Sequence, residues 1–310
     1  MNIAAIKCSA GLNLGNNFIN AGGSAVLSQI HPTDNIEYFE FYDSCLPQWQ
    51  SGEILTPSTI EHIKNTHDLI YVFAGSAGGD TMYEHFFKPL NDIGVPFIPI
   101  GIGCEGNYNQ NEQIAINKIR DLSNCVKLVT RDPKTYEFIE NKEGVLSGID
   151  MAFFAKDYYG DVKQNSEFRY AIINYEPYGS LVVDVAYQLY NQIVNDFDKV
   201  YFIENTVSAS RKDIKNYIQI GYDEDLWRFY ANASLVISTR IHSCVCSLSN
   251  EVDFIYLGSH DVGGQKGRNT LFNSVGLTLN LNEVYSSKEH QGHLNEVKKD
   301  YINRLKGFLT

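Results

Sequence analysis

The sequence predicts an α/β protein with two doubly wound parallel-sheet halves around a cleft. Short apolar runs alternate with segments of helical periodicity, a polar break at residues 149–168 interrupts this alternation, and the alternation then resumes. Strands that alternate with helices form parallel sheets covered on both faces. The length of 310 residues also exceeds the usual size of one compact core. We therefore expect domains at residues 1–150 and 166–290, followed by a C-terminal helix at 291–310.

The first half begins and ends with predicted strands. The apolar runs are NIAAIKC, IEYFEFY, DLIYVFAG, PFIPIGIG, VKLVT and GVLSG. Helical spacing of apolar residues is found over Phe18–Ile30, Thr59–Asn65, Met82–Ile93, Gln110–Leu122 and Pro133–Asn141. Each pair of successive strands is thus joined by a segment with helical spacing.

The second half repeats this arrangement. Its predicted strands are RYAIINY, KVYFIE, YIQIG, SLVIST and VDFIYLG. Its predicted helices are Leu181–Phe197, Asp223–Ala231, Arg240–Ser249, Asn269–Val275 and a last one over about His293–Phe308.

Composition excludes several classes of protein. The formal net charge of -12 argues against a nucleic-acid partner, because phosphate backbones are held by clustered basic residues. The 6 cysteines lack the spacing of a small disulfide-rich domain, which favours a reducing cytoplasm. The sequence shows neither a signal peptide nor an apolar run long enough for a transmembrane helix.

Ligands of open parallel sheets bind beyond the carboxyl ends of the strands, so the strand-to-helix turns are the candidate sites. The first turn, GLNLGNN, offers Asn13, Gly15, Asn16 and Asn17, which could cradle a sugar or a phosphate near a helix start. The alternative is a simple Gly/Asn turn in which Asn17 caps the helix.

A second turn, VTRDP, places Arg131 at the carboxyl end of a strand. Asp132 is suited to an N-cap and Pro133 to the first helical position. Arg131 and Asp132 are therefore candidates for the site, and an ion pair between them is the alternative.

The third turn, STRIHSCV, contains Arg240 and His242 between a predicted strand and an apolar helix. Both residues lie off the predicted apolar face, and in the first turn both can reach past the helix end, where free N–H groups favour an anion. An arginine fork recognises carboxylate or phosphate, and histidine supplies a proton near neutral pH. This turn is therefore suited to anion binding with proton transfer.

Two other interpretations of this turn remain. His242 could be a core histidine that bonds a backbone carbonyl. His242, Cys244 and Cys246 could bind zinc, but two-residue spacing scatters ligands around a helix. The remaining histidines match no metal-binding motif and are predicted to be surface residues.

Glycine-containing turns supply further candidate substrate contacts. They are Gly78, Gly79 and Asp80 in one turn, and His260, Lys266 and Arg268 in GSHDVGGQKGRN. Basic residues in such a loop suit phosphate, although tight connections and solvated loops have the same composition.

Taken in order, these motifs resemble the polysaccharide pyruvyl transferase family. The resemblance lies in LNLGNN, DLIYVFAGSAGG, PFIPIGIG, VTRD, GIDMAF, ASLVISTRIHSCV and VDFIYLGSHDVGGQKGRN, of which the Arg-x-His element is the most specific. It implies two Rossmann-like domains in a GT-B-like arrangement. It also implies transfer of the pyruvyl group of phosphoenolpyruvate onto two hydroxyls of a sugar, with Arg131, Arg240 and His242 at the phosphoenolpyruvate site.

The expected partners follow from this resemblance. They are phosphoenolpyruvate as donor substrate and a sugar acceptor on a nucleotide, a lipid carrier or a glycan, and a lipid carrier would require transient contact with a membrane surface. No cofactor or metal ion is expected. The alternatives are a nucleotide-sugar glycosyltransferase of the same layout and a non-catalytic glycan-binding protein.

Overall fold

The first half of the chain contains a sheet of six strands, and the second half contains another. The computed structural model describes residues 1–8, 14–40, 55–74, 82–104, 109–163, 167–175, 180–204, 217–218, 224–258, 270–280 and 282–309. This architecture confirms the predicted fold class of two parallel-sheet α/β domains.

The first sheet is parallel throughout. Its strands are β1 Asn2–Lys7, β2 Asn35–Glu40, β3 Leu69–Phe73, β4 Phe97–Ile102, β5 Leu128–Thr130 and β6 Val145–Ser147. They lie in the order β2-β1-β3-β4-β5-β6, so the direction of winding reverses between β1 and β3. In such sheets the crevice beyond the carboxyl ends at the reversal is the usual place for a ligand.

The second sheet also has six strands and one reversal of the winding direction. Its strands are β7 Tyr170–Tyr175, β8 Lys199–Glu204, β9 Tyr217–Ile218, β10 Leu235–Ser238, β11 Asp253–Tyr256 and β12 Val284–Tyr285. They lie in the order β12-β11-β10-β7-β8-β9, and the reversal falls between β7 and β10. β12 was not predicted; it is short and runs antiparallel to β11.

The helices follow the predicted periodicity, with changes at their ends. They are α1 Leu14–Ile30, α2 Pro57–Thr66, α3 Lys88–Asp92, α4 Gln110–Arg120, α5 Pro133–Phe138, α6 Ala155–Tyr159, α7 Ser180–Ile193, α8 Glu224–Ala231, α9 Ile241–Ser249, α10 Thr270–Asn273 and α11 Gln291–Leu309. A π-helical turn, Tyr83–Phe87, precedes α3. None of the described helices combines the length and apolarity needed to cross a bilayer.

Both faces of the first sheet are buried. On β1, Ile3 and Ala5 join one apolar cluster, whereas Ala4 and Ile6 join another. Because successive side chains of a strand point to opposite faces, the two clusters lie on opposite sides of the sheet. Helices therefore cover both sides, as a doubly wound sheet requires.

The predicted polar break at 149–168 is wrong over its first part. A 3₁₀ helix, Met151–Phe154, leads directly into α6, and residues 151–155 are all buried. Apart from Asp150, the polar residues of the segment come later in it, from Lys156 onward. The apolar run MAFFA forms part of the core because α1 packs on it: a Cβ on Gly22 would meet the Met151 carbonyl oxygen at 1.7 Å.

The core extends between the two halves. Phe18 on α1 packs edge-on against Trp227 and Tyr230 on α8, with ring centroids 5.7 and 6.1 Å apart. Phe153 packs in the same way on Phe272 of α10 at 5.8 Å. Aromatic pairs of this geometry add to the burial of apolar area. The two halves therefore share one apolar cluster.

The final helix returns to the first half. Tyr301 on α11 lies against Phe154, with ring centroids 5.8 Å apart, and Lys298 pairs with Asp157 at 2.8 Å. Arg304 donates to the Ser147 carbonyl oxygen at 2.9 Å. The end of the chain thus covers the 3₁₀ helix and α6.

Candidate active site

The turn after β5 has the predicted cap. Asp132 is the N-cap of α5: its Oδ1 accepts from the Thr135 amide at 2.7 Å and its Oδ2 from the Thr135 hydroxyl at 2.8 Å. Pro133 occupies the first helical position. The side chain of Asp132 is fully buried, so its carboxylate is engaged within the helix end.

Arg131 lies across the carboxyl end of the neighbouring strand. Its backbone amide donates to the Ile102 carbonyl oxygen at 2.9 Å, and its Nη2 donates to the Cys104 carbonyl oxygen. The predicted alternative, an ion pair with Asp132, is present at an Nε–Oδ2 distance of 3.7 Å. Arg131 is 7% exposed, so its charge is held in a fixed and largely dry position.

Gly103 provides the space for this arginine. A Cβ built on Gly103 would lie 2.0 Å from Arg131 Nε and 2.5 Å from its Cδ, both impossible contacts. The glycine directly follows β4, within the sequence GIGCEG. Its lack of a side chain is therefore what allows the guanidinium to cross the end of the strand.

The turn after β10 differs from the prediction at its first residue. Arg240 is the N-cap of α9, with extended backbone angles (φ -106°, ψ 121°), so the helix begins at Ile241 rather than Arg240. Ser238 closes the turn: its hydroxyl accepts from the Arg240 amide at 2.8 Å and donates to the Arg240 carbonyl oxygen at 3.1 Å. The side chain of Arg240 makes no capping bond.

The expectation that α9 buries only one apolar face is also wrong. Every residue from Ser243 to Ser249 is buried. α9 lies between the halves, where it packs against α1, α8 and the 3₁₀ helix. Its small polar residues turn inward to their own backbone, as Ser247 does by donating to the Ser243 carbonyl oxygen at 2.8 Å.

His242, in the first turn of α9, faces the first half of the chain. Its Nε2 lies 3.4 Å from Oδ2 of Asp150. A Cβ on Gly15, in the first turn of α1, would lie 2.6 Å from its Nδ1. One ring nitrogen thus faces a carboxylate, and the other faces the start of α1. Of the predicted residues, the structure brings Gly15 and His242 together.

Asp150 is the acid that sequence reasoning missed. It follows β6, is 1% exposed, and caps the 3₁₀ helix by accepting from the Ala152 amide at 2.9 Å. Burial alone would raise the pKa of its carboxyl, but the charges of His242 and Arg131, together with bonds from His242 and Ala152, hold that pKa below its usual value. The carboxyl of Asp150 thus interacts with two of the three predicted catalytic residues, His242 and Arg131.

These residues define the Arg131–Asp150–His242 cluster. A signal for Asp150 was present in the sequence, because it follows a strand just as Arg131 follows β5. The apolar residues after Asp150 could have indicated a buried helix with an acid at its N-cap. Asp150 was missed because it lies in GIDMAF, at the start of a segment that was predicted to be a polar break.

A buried hydrogen-bonded group supports α9 from the other side. Asn174, at the carboxyl end of β7, donates from Nδ2 to the Tyr230 hydroxyl at 2.6 Å, and that hydroxyl lies 3.2 Å from Ser243 Oγ. Burial raises the pKa of Tyr230 well above its usual value, so the phenol stays protonated. This group fixes the start of α9 at the strand reversal between β7 and β10.

The first turn of α1 differs from the Asn17-cap alternative. α1 begins at Leu14, so Asn17 lies inside the helix. Asn17 is 7% exposed, and its Nδ2 has no hydrogen-bond partner among the described residues. Asn20 instead links α1 to the end of β1, accepting from the Cys8 amide and donating to the Cys8 carbonyl oxygen, both at 2.8 Å.

Other predicted residues lie outside the described residues. They are Asn13, Gly78, Gly79, Asp80, His260, Lys266 and Arg268. Asn16 is half-buried in the first turn of α1. Asn16, Asn17 and Asp132 remain predictions as substrate contacts.

The zinc interpretation of HSCVC is not supported by the geometry. Among the described residues, the ligand atoms of His242, Cys244 and Cys246 do not come together as a three-ligand group, because two-residue spacing separates them around the helix. The prediction that the remaining histidines are surface residues is wrong for His67, which is 8% exposed.

A family comparison decides the relationship. The model of a family described as polysaccharide pyruvyl transferase matches residues 13–261, which include Gly15, Arg131, Asp150 and His242. The chain belongs to this family. No curated protein sequence matches the chain.

Solved structures share the architecture of this pyruvyl transferase family member. UDP-GlcNAc 2-epimerase from Neisseria meningitidis, bound to UDP-GlcNAc, is similar with a TM-score of 0.56 and 10% identity, covering 99% of this chain and 93% of the other. S. aureus MnaA in complex with UDP gives 0.58 and 12%, covering 99% and 90%. UDP-N-acetylglucosamine 2-epimerase from Rickettsia bellii gives 0.53 and 10%, covering 98% of each chain. At these identities the similarity shows the GT-B fold alone.

Proposed function

We propose that this protein transfers the pyruvyl group of phosphoenolpyruvate onto two hydroxyls of a sugar, forming a pyruvate ketal and releasing phosphate. Membership in the family supports a pyruvyl transfer reaction. The observation that carries the proposal is the Arg131–Asp150–His242 cluster, which joins a cation, a buried carboxylate and a proton-carrying ring.

The donor carries a carboxylate and a phosphate, and two arginines can bind these groups. Arg131 is held in place by its hydrogen bond to the Cys104 carbonyl oxygen. Gly103 leaves room for its side chain, because a Cβ there would collide with it. Arg240 stands at the start of α9, a helix end without a side-chain cap. Uncapped amide groups and the helix dipole add attraction for an anion there. We assign the phosphoenolpyruvate site to this region.

His242 would supply the proton that starts the reaction. A proton added to the methylene carbon of phosphoenolpyruvate makes the neighbouring carbon electrophilic, and one sugar hydroxyl adds to it. The bond from that carbon to the phosphate oxygen then breaks, and the second hydroxyl completes the ketal. The two hydroxyl protons lost balance the proton gained by the methylene carbon and the one that leaves with phosphate.

Asp150 would position this acid and stabilise its charged form. Its Oδ2 is aligned with Nε2 of His242, so the ring would donate from Nε2 to the carboxylate and present Nδ1 on the opposite side. A carboxylate behind an imidazole fixes its tautomer and favours imidazolium. Nδ1 faces Gly15, so the acceptor sugar would approach from the start of α1.

The acceptor would be a sugar on a nucleotide, a lipid carrier or a glycan. The neighbouring folds include proteins bound to UDP or UDP-GlcNAc, which makes a nucleotide-linked sugar a sensible first acceptor to test. The scheme uses phosphoenolpyruvate as a substrate and requires no cofactor. The proposed location of the reaction is the cytoplasm, where such donors and acceptors are made.

The first experiment measures binding of the donor. Phosphoenolpyruvate should raise the melting temperature of the protein, since about 100-fold excess over Kd adds about 2.7 kcal/mol to stability. Arg240→Ala should abolish this rise while the variant remains folded. Arg169→Ala is the matched control, because Arg169 is exposed and precedes β7, at the amino ends of the strands of the same sheet. An unchanged rise in Arg240→Ala would place the anion elsewhere.

A second measurement separates the alternatives. The protein is incubated with UDP-GlcNAc and phosphoenolpyruvate, and phosphate and UDP are quantified. Phosphate release that depends on the sugar supports pyruvyl transfer, whereas UDP release without phosphate would indicate a glycosyltransferase. Binding of a sugar with no product from either donor, across a panel of acceptors, would indicate a glycan-binding protein.

A further inference from the structure

A group of metal-ligating side chains lies on the first half of the chain, away from the active site. Glu37 belongs to β2, the edge strand of the sheet, whereas His62 lies within α2 and His67 is the C-cap of that helix. Oε2 of Glu37 is 3.0 Å from Nε2 of His62 and 3.3 Å from Nε2 of His67. One ligand atom from each residue lies within 4.8 Å of the other two.

Thr66 determines which nitrogen of His67 carries the proton. The Thr66 hydroxyl donates its single hydrogen to the His62 carbonyl oxygen at 2.7 Å. The same oxygen lies 2.8 Å from Nδ1 of His67, so it must accept there, and Nδ1 must be protonated. Nε2 is therefore the ring nitrogen of His67 that faces the carboxylate of Glu37.

Two imidazole nitrogens thus face the same carboxylate oxygen of Glu37. The side chain of His67 is only 2% exposed, so the surrounding protein holds its ring in place. A cation between the three ligand atoms would attract the carboxylate and both nitrogen lone pairs.

We propose that Glu37, His62 and His67 bind one divalent transition-metal ion, with Zn²⁺ as the biological candidate. Two imidazole nitrogens and a carboxylate oxygen form a ligand set that zinc accepts. Ligand atoms about 2.0–2.1 Å from a tetrahedral zinc lie about 3.3 Å apart, close to the two separations from Glu37 Oε2. The hydrogen bond from Thr66 is the outer contact that usually orients such a histidine.

The surroundings of the three ligands suit a structural metal ion that binds from solvent. The side chains of Glu37 and His62 are 47% and 46% exposed, so water can reach the site and complete the coordination. Phe39, two residues along β2 from Glu37, packs against His62 and His67 with ring centroids 6.1 and 5.5 Å apart. This packing restricts both rings.

The proposed ion would fasten the edge strand to α2. In the described residues β2 pairs with β1 on one side only, and exposed strand edges are weak points of a sheet. His67 precedes β3, at the amino end of the strands, whereas the Arg131–Asp150–His242 cluster lies at their carboxyl ends. The ion is thus expected to affect stability and to leave the pyruvyl transfer chemistry unchanged.

The test uses the full chain without a histidine tag, stripped of metal by a chelator. Titration with ZnCl₂ should show one saturable site per chain and raise the melting temperature, because the metal binds the folded state. Co²⁺ should give the visible absorption of a four-coordinate ion. Mg²⁺ should not bind, since it prefers an all-oxygen set.

Two ligand variants decide the assignment. His62→Ala and Glu37→Gln should each weaken Zn²⁺ binding by on the order of 100-fold or more, since loss of an outer contact alone costs about 10- to 100-fold. Glu61→Gln is the matched control: it removes one acidic charge from the exposed face of α2, where Glu61 bonds Asn65, and should bind as the wild type does. Circular dichroism confirms that each variant is folded.

The outcomes are distinct. Absence of saturable Zn²⁺ binding by the wild type would overturn the proposal, and so would binding that both ligand variants retain. Because phosphoenolpyruvate binding is measured separately, neither outcome depends on the proposed transferase activity.

Discussion

The turns after β5 and after β10 share a sequence pattern but differ in how the following helix is capped. Each places an arginine directly beyond a parallel strand and before a helix. After β5, the next residue, Asp132, caps α5 with both carboxylate oxygens. After β10, Arg240 itself is the N-cap and makes no capping bond. One helix start is thus capped by its own N-cap side chain, whereas within the described part of the chain the N-cap side chain of the other makes no such bond.

This difference assigns separate tasks to the two turns. A helix start whose amides are satisfied by a side chain has little left to offer a ligand, so the β5 turn contributes the guanidinium of Arg131 alone. An open start keeps its amides and its dipole for an anion. In the proposed reaction, the β10 turn would therefore bind charge and transfer a proton through two residues two positions apart, Arg240 and His242.

The largest effect is expected at the proton donor. His242→Gln keeps hydrogen-bonding capacity but cannot protonate carbon, so turnover should fall by roughly 100-fold or more, the usual range for a general acid. Phosphoenolpyruvate should still raise the melting temperature. Wild-type turnover in the variant would make His242 a packing residue.

Asp150→Asn tests whether this carboxylate links Arg131, after β5, to His242, after β10. Loss of the carboxylate behind Nε2 should reduce turnover by on the order of 100-fold, with a smaller change in donor binding. Because the introduced amide carries no charge to stabilise the imidazolium, the pH dependence of activity should also shift. Equal loss of donor binding and turnover would mean that Asp150 supports Arg131 rather than His242.

The same carboxyl predicts a pH dependence of stability. Its pKa is lower in the folded protein than the ordinary value of 3.8, so the unfolded chain binds the proton more readily. Its contribution to stability is present above about pH 4 and is lost as pH falls through the folded-state pKa. Denaturant titrations should therefore show the wild type losing more stability than Asp150→Asn as pH falls below about 4. Parallel losses would indicate that other carboxyls dominate.

Alanine substitutions at two glycines are expected to affect turnover and donor binding separately. Gly15→Ala would push a methyl group to 2.6 Å from Nδ1 of His242, and Gly103→Ala would push one to 2.0 Å from Nε of Arg131. The first should reduce turnover by about 10- to 100-fold through misplacement of the acid, and the second should chiefly weaken donor binding. Gly292→Ala, with no atom within 4 Å, is the control and should change neither.

The smallest effect is expected at the closed helix start. Asp132→Ala should cost about 1 kcal/mol of stability, as loss of an N-cap usually does. Asn109→Ala, which removes the cap of α4, should cost a similar amount and serves as the comparison. Both variants should keep the melting-temperature rise with phosphoenolpyruvate. If only Asp132→Ala loses it, Asp132 contacts the substrate and the β5 turn is more than a closed cap.

The sequence was sufficient for the fold because hydrophobic periodicity and strand propensity agree along most of the chain. The β1–β6 runs and the cap at Asp132 are local features that need no knowledge of the rest of the molecule. The candidate site residues Arg131 and His242 were proposed on the same local grounds, since each closely follows an apolar strand.

What sequence reasoning missed depends on distant packing. α9 is buried all round because α1 and the 3₁₀ helix cover it, and no periodicity within nine residues can show this. Asp150 gains its charged partners only when the two halves meet. Glu37 and His67 come together through strand order, and β12 is too short to carry a pattern of its own.

Because α11 packs against the first half, that half cannot complete its packing until the last helix has been synthesised. Until that helix leaves the ribosome, Phe154 lacks Tyr301, and Asp157 lacks Lys298. The first half therefore emerges with part of its apolar surface uncovered while the second half is still being synthesised. Transient exposure of this kind invites aggregation. Synthesis of the chain with a translational pause before α11 should accordingly lower the soluble yield.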